Sequence, residues 1–156
     1  MKILLAVDDS KFSEAATQAV LAQARPEDTE VRVLSVTEPS PVRTDSGNKG
    51  YYAAIDASFE EATKRSQAVV TKTAELLRSK GFKVISSAPA GMADPKSKII
   101  DVAAEWDADL IVLGSHGRSG LSRFLMGSVS ETVVRHAPCS VEIIRISQVA
   151  KTASSA

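Results

Sequence analysis

Two short stretches of this chain concentrate groups suited to phosphate and sugar chemistry. Residues 114 to 130, GSHGRSGLSRFLMGSVS, hold four of the eight glycines, two arginines and no carboxylate. Glycine lets a ligand approach backbone N–H groups closely, and a helix N-terminus adds partial positive charge, a combination that selects for phosphate. Gly114, Gly117 and Gly120 therefore suit a loop, with Gly127-Ser128 opening a helix. Arg118 and Arg123 are the only formal charges between Asp109 and Glu131. Either guanidinium can fork onto phosphate oxygens or point into water. The second stretch is Val7-Asp8-Asp9-Ser10. Carboxylates there would repel phosphate but suit a ribose hydroxyl or a divalent cation, and they can equally cap a following helix.

Neither stretch is a common nucleotide fingerprint. The chain has no Gly-Lys pair, which excludes a P-loop, and its G-x-x-G-x-x-G spacing is not the dinucleotide G-x-G-x-x-G. Other residues in these stretches have structural readings. Ser128 with Glu131 fits an S-x-x-E capping box. His116 has no carboxylate placed beside it to make it a general base and is expected as a solvent-exposed loop histidine. Residues 123–126, RFLM, suit the core or a cover over the phosphates, with Phe124 and Leu125 expected in the core, and His136 is expected to serve a helix dipole.

The elements that must position these groups follow from hydrophobic periodicity. Ile3 to Val7 is a continuous apolar run suited to a central parallel strand, and residues 31–36, 82–88, 109–114 and 140–146 read as further strands. Phe12, Ala15, Ala16, Ala19 and Val20 recur at helical spacing, as do Val69, Val70, Thr73, Ala74 and Leu77, and then Ile99, Val102, Ala103 and Trp106. Gly81 marks a helix end, Asp94-Pro95 a helix start, and Pro138 closes a fourth helix after His136. Strands alternating with helices predict a three-layer α/β/α, doubly wound, five-stranded parallel sheet of Rossmann-like type. With strand order 3-2-1-4-5, the two chemical stretches meet at the switch point, where open sheets bind ligands. The last strand reads as an edge, because Glu142 and Arg145 interrupt its apolar run, and an apolar edge needs covering.

Length and composition bound the rest. The 156 residues predict one domain over 1–146, with a mobile loop at 38–56 that carries Tyr51 and Tyr52, and a disordered tail at 147–156. Nineteen basic residues balance nineteen acidic ones, so the chain has no overall field, and no nucleic-acid role is expected. The opening apolar run is too short for a signal peptide or a membrane span, which predicts a cytoplasmic protein. One cysteine, Cys139, excludes an internal disulfide and reads as a small residue at a strand start.

Taken together, these motifs resemble the ATP-binding universal stress proteins, the UspA-like family. Gly114-Ser-His-Gly117, nine residues, then Gly127-Ser128 matches that family's G-x2-G-x9-G-[S/T] pattern. ILLAVDDS, VRVLSV and APCSVEIIR are further matches, so the likeness covers roughly residues 2 to 146. The resemblance implies that Asp8 lies near the ribose and a Mg²⁺ ion. It implies that the backbone of Val36 addresses adenine, and that Gly114, Gly117, Gly127, Ser128 and Val129 hold the ribose and phosphates of ATP, with Arg118 beside them. Asp9 departs from the small residue frequent at its position. The family implies a nucleotide-dependent regulatory or stress-response module, and a homodimer joined through the last strand. A slow Mg-dependent ATPase or nucleotidyl-transfer enzyme is the alternative. A response-regulator receiver is rejected, because the third strand ends SSAPAG without a phospho-acceptor aspartate and the fifth ends IIRIS without lysine.

Overall fold

Burial of the first strand on both sides decides the architecture. The computed structural model describes residues 1–38, 48–88, 93–118 and 125–146. Strand β1 spans Lys2–Ala6. Its side chains alternate, so Ile3 and Leu5, with Val7 beyond the strand end, join one core and Leu4 and Ala6 the other. Each buried Leu or Ile contributes roughly 1.5–3 kcal/mol on removal from water. A strand with both faces so used must lie at the centre of three layers.

The order along the chain is β1, α1 (Lys11–Gln23), β2 (Glu30–Leu34), α2 (Asn48–Ser79), β3 (Lys83–Ser87), α3 (Pro95–Glu105), β4 (Leu110–Gly114), α4 (Ser128–His136) and β5 (Ser140–Ile144). The five strands form one sheet in the order β3-β2-β1-β4-β5, and every pairing is parallel. This is the doubly wound order expected from the alternating pattern. On one face, Ala16 and Val20 of α1 and Val70 and Leu77 of α2 pack on Ile3, Leu5, Val31, Val33 and Val112. On the other, Ile99, Val102 and Ala103 of α3 and Val133 of α4 pack on Leu4, Leu34, Ile111 and Leu113. No described helix is long and apolar enough to cross a membrane.

Helix boundaries follow their capping residues. Ser10 caps α1, accepting from Ser13 N. Asp94 caps α3 in front of Pro95 and accepts from both the backbone N and the Oγ of Ser97. Slight burial pushes the Asp94 carboxyl up, but these hydrogen bonds outweigh it and hold the group below the usual range. Its capping contribution is therefore complete at neutral pH and is lost as pH falls through that lowered value. Gly81, at φ +90°, ends α2 as expected, and its N–H donates to the Arg78 carbonyl.

The described part of the interval 38–56 departs from its expected form, residues 39–47 lying outside the described residues. Residues 48–56 are not loop; they are the first turns of α2, a 32-residue helix about 48 Å long at the usual rise. The Pro- and Gly-rich composition masked this start, since the buried positions of α2 begin only at Ala62 and continue through Ser66, Val70, Thr73, Ala74 and Leu77. From Gly50 up to Ala62 these turns hold only half-buried and exposed residues, so their apolar positions Ile55 and Phe59 are outweighed by the Pro- and Gly-bearing segment that precedes them. Tyr51 and Tyr52 sit exposed on these turns, edge to face, with ring centroids 5.9 Å apart.

The two sheet edges differ. On the β3 side, Arg78 of α2 reaches over and donates to the Val84 carbonyl at 3.1 Å and to Ser86 Oγ at 3.4 Å. On the other side, β5 is half-buried along Val141–Ile144, and no described strand lies beyond it.

Helix α1 lies unusually close to the end of β4. A Cβ on Gly114 would sit 2.6 Å from Phe12 Cβ and 2.9 Å from both the carbonyl carbon and oxygen of Phe12. Backbone atoms cannot swing aside as a side-chain tip can, so Gly114→Ala must lift the first turn of α1. A loss of about 1–3 kcal/mol is expected, measurable as a lower urea midpoint with an unchanged slope; an unaltered midpoint would mean the contact is slack.

Candidate functional site

The carboxyl ends of β1, β2 and β4 open into a cleft of about 630 Å³, lined also by residues of α2 from one face of the sheet, of α3 from the other, and by the start of α4. Such a volume suits a small organic ligand. Every residue expected at the site lines it: Asp8, Val36, Gly114, Gly117, Arg118, Gly127, Ser128 and Val129. The strand order makes β1 and β4 neighbours, and that brings the two chemical stretches together.

Asp8 follows β1 and divides its two oxygens. Oδ1 accepts from Ser10 N at 2.9 Å and from Ser13 Oγ at 2.8 Å, while Asp8 N donates back to Ser13 Oγ at 2.8 Å. This pattern locks the loop onto the start of α1. Oδ2 faces Gly117, where a Cβ would come within 3.0 Å of it. Ser10, not Asp8, is therefore the cap of α1; Asp8 Oδ1 holds the capping loop, and Oδ2 lies on the Gly117 side. Sequence reasoning missed Ser13; its signal was the two serines in the D-D-S-K-F-S run.

The start of α4 is built differently from the expected capping box. Gly127 is the N-cap, in extended conformation, and no side chain caps the helix. Glu131 instead pairs with Arg135 at 3.0 Å, one turn along its own helix, leaving the Ser128 hydroxyl outside any cap. The helix is tied down from behind: Gly127 N donates to the Ser115 carbonyl at 2.8 Å, and the buried Ser130 Oγ to the Gly114 carbonyl at 2.9 Å. With Ser128, Val129 and Ser130 lining the cleft, an uncapped first turn presents N–H groups and a helix dipole to it, the arrangement that binds anions. Gly127 is needed for a different close approach, since its Cβ would lie 3.2 Å from the Ser115 carbonyl oxygen.

Other expectations are corrected. The missing Cβ of Gly114 makes room for α1, while the residue also lines the cleft. Arg118 is engaged with protein, its Nε 2.8 Å from Asp9 Oδ1. His116 is half-buried rather than an open loop residue: its ring packs on Phe12 with centroids 5.1 Å apart, and Nδ1 lies 3.1 Å from Ser115 Oγ. Leu125 is 70% exposed and not core. Gly120, Arg123 and Phe124 lie outside the described residues. His136 does sit in the last turn of α4, with Nδ1 3.0 Å from the Thr132 carbonyl. Cys139 is half-buried; burial pushes its thiol up, the Asp109 charge adds to this, and the sulfur stays protonated.

The far end of the cleft is apolar, formed by Leu34, Val36, Ala62, Val69, Pro95 and Ile99. Ser35 and Ser66 join across it, Oγ to Oγ at 3.3 Å. Arg65, paired with Glu61 at 3.2 Å, lies on the same wall. The α2 and α3 residues of this wall were not foreseen as site residues, because a helical stripe does not say which turn reaches the ligand end.

No group of three or more acidic, histidine or cysteine side chains that could hold a metal occurs among the described residues.

A family model for the universal stress proteins matches residues 1–145. The chain belongs to the universal stress protein family. A Staphylococcus aureus (strain USA300) protein assigned to the same family is 34% identical over 145 residues, spanning 92% of this chain and 82% of the relative. Among solved structures, UspA from Lactobacillus plantarum is similar at 25% identity with a TM-score of 0.77, covering 93% of this chain and 97% of its own. The Archaeoglobus fulgidus universal stress protein, solved in complex with dAMP, shares the fold at 22% identity and TM-score 0.62, covering 92% and 97%.

The two serines that begin helices should behave differently. Ser10→Ala is expected to cost about 1 kcal/mol as a lost cap, whereas Ser128→Ala should stay within about 0.5 kcal/mol. Urea unfolding compares them, and equal losses would mean that the Ser128 hydroxyl caps α4 after all.

Proposed function

We propose that this universal stress protein binds ATP with Mg²⁺ and acts as a nucleotide-dependent regulatory module in a stress response. The observation that carries the reading is the bipolar cleft. The uncapped start of α4 lies at one end with Gly117 and Asp8 Oδ2, and the apolar wall around Val36 at the other. In this reading the α4 N–H groups, Ser128 and Val129 receive phosphate, Asp8 meets the ribose and the metal, and the base lies against Val36. Mg²⁺ supplies charge neutralisation of the phosphates. Support comes also from the fold relatives that carry dAMP, cAMP and AMP.

The module is not a dedicated enzyme in this reading. Efficient phosphoryl transfer needs a positioned base and charge-stabilising groups. Here Arg118 is held by Asp9, and the His116 ring packs on Phe12. Any hydrolysis is expected to be slow.

The test is to denature freshly purified protein, identify released nucleotide, and titrate the emptied chain with Mg-ATP. Retained or titrated ATP is expected; the absence of both would overturn the reading. Gly127→Val should weaken ATP binding at least tenfold with far-UV circular dichroism unchanged, because its side chain displaces the Ser115–His116 backbone. Unchanged affinity would put the phosphates elsewhere.

We also propose a homodimer through antiparallel pairing of β5, whose outer edge has no described neighbour. Sedimentation velocity at micromolar concentration should give a dimer mass. A monomer would count against the pairing.

A further inference from the structure

We infer that Asp9 sets the phosphate-number preference of the cleft by holding Arg118 as a paired rather than a free cation. The inference rests on the nucleotide reading above and assigns a role to the residue that departs from the family pattern. Asp9 lies on the loop after β1 and Arg118 on the loop after β4, and their Nε–Oδ1 contact of 2.8 Å bridges the two loops. Both residues line the phosphate end of the main cleft and a shallower neighbouring depression with Ser10, Lys11, Phe12 and Gly117.

Charge at this end decides the consequence. Of the described cleft residues on these two loops, Asp8 and Asp9 carry −2 and Arg118 +1, a sum of −1. That sum opposes an incoming polyphosphate and opposes it more with each added phosphate. The pair is half exposed, 47% for Arg118 and 40% for Asp9, so water and salt moderate it. Asp9 therefore grades affinity instead of abolishing it. Its carboxylate both adds repulsion and occupies the guanidinium Nε that could otherwise turn toward a terminal phosphate. A monophosphate, carrying less charge and reaching less far, feels both effects less.

Replacing Asp9 with Asn keeps the shape and removes the charge, bringing the sum to zero. Adding Arg118→Gln to that variant returns it to −1. Isothermal titration of AMP and of ATP, each with EDTA and with excess Mg²⁺, should therefore show a selective change. Asp9→Asn is expected to tighten ATP binding roughly fivefold and AMP binding less than twofold. The gain should be larger in EDTA, where ATP carries its full charge, and smaller in high salt. The double variant should restore the ATP-to-AMP ratio of the unaltered chain. Melting curves establish that each variant is folded. Equal tightening of both nucleotides would overturn the inference, as would weaker ATP binding in Asp9→Asn, which would make Asp9 a support for the cation. If the unaltered chain binds no adenine nucleotide, the underlying reading fails and takes this inference with it. If it binds and the ratio does not move, this inference fails alone.

Discussion

The close seating of Phe12 on Gly114 is the contact on which the rest of the site depends. A parallel sheet with β1 beside β4 leaves both loops free at the carboxyl edge, and something must bring them to a common height. The missing Cβ at Gly114 lets the first turn of α1 rest on the end of β4. Once it rests there, the Asp8–Ser13 hydrogen bonds fix the loop after β1, and Ser115 and Gly114 offer carbonyls to Gly127 and Ser130. Three segments distant in sequence are thereby held to one another by backbone groups and by the short side chains of Asp8, Ser13 and Ser130. Little of that positioning depends on long, mobile side chains.

This arrangement explains how a chain with no net charge presents a polarised site. The positive component comes from the dipole and N–H groups of an uncapped helix, which are fixed by the fold and need no formal charge. The formal charges nearby cancel in part through Asp9 and Arg118. At the opposite end, Leu34, Val36 and Ile99 extend the α3-side core to the mouth of the cleft. The same apolar layer that stabilises the sheet thus forms the floor of that end of the cleft.

Much of this was legible from residue patterns. The unbroken run Ile3 to Val7 implied a strand covered on both faces, and Asp94-Pro95 and Gly81 marked their helix ends because their backbone preferences are local. Strand order 3-2-1-4-5 then put Asp8 beside the glycine stretch. What was not legible depends on tertiary contacts. The first turns of α2 are half-buried or exposed from Gly50 on and follow a Pro- and Gly-bearing segment, so their composition read as loop. Ser128 and Glu131 have the spacing of a capping box, but Glu131 turns to Arg135 and Gly127 takes the cap. Gly114 looked like space for a ligand because sequence does not reveal that α1 needs the same space. Arg118 looked like a free cation because its partner lies more than a hundred positions away.

The unlike sheet edges have a consequence for how copies of the chain can associate. Arg78 occupies the outward carbonyl of Val84, and a strand arriving at β3 would have to evict a guanidinium first. The β5 edge carries no comparable guard among the described residues. Two chains meeting β5 to β5 would leave only Arg78-covered margins outside, and the joined sheet would stop growing after a single union. In such a pairing, the arginine at the β3 margin would favour a finite assembly over an open-ended fibre.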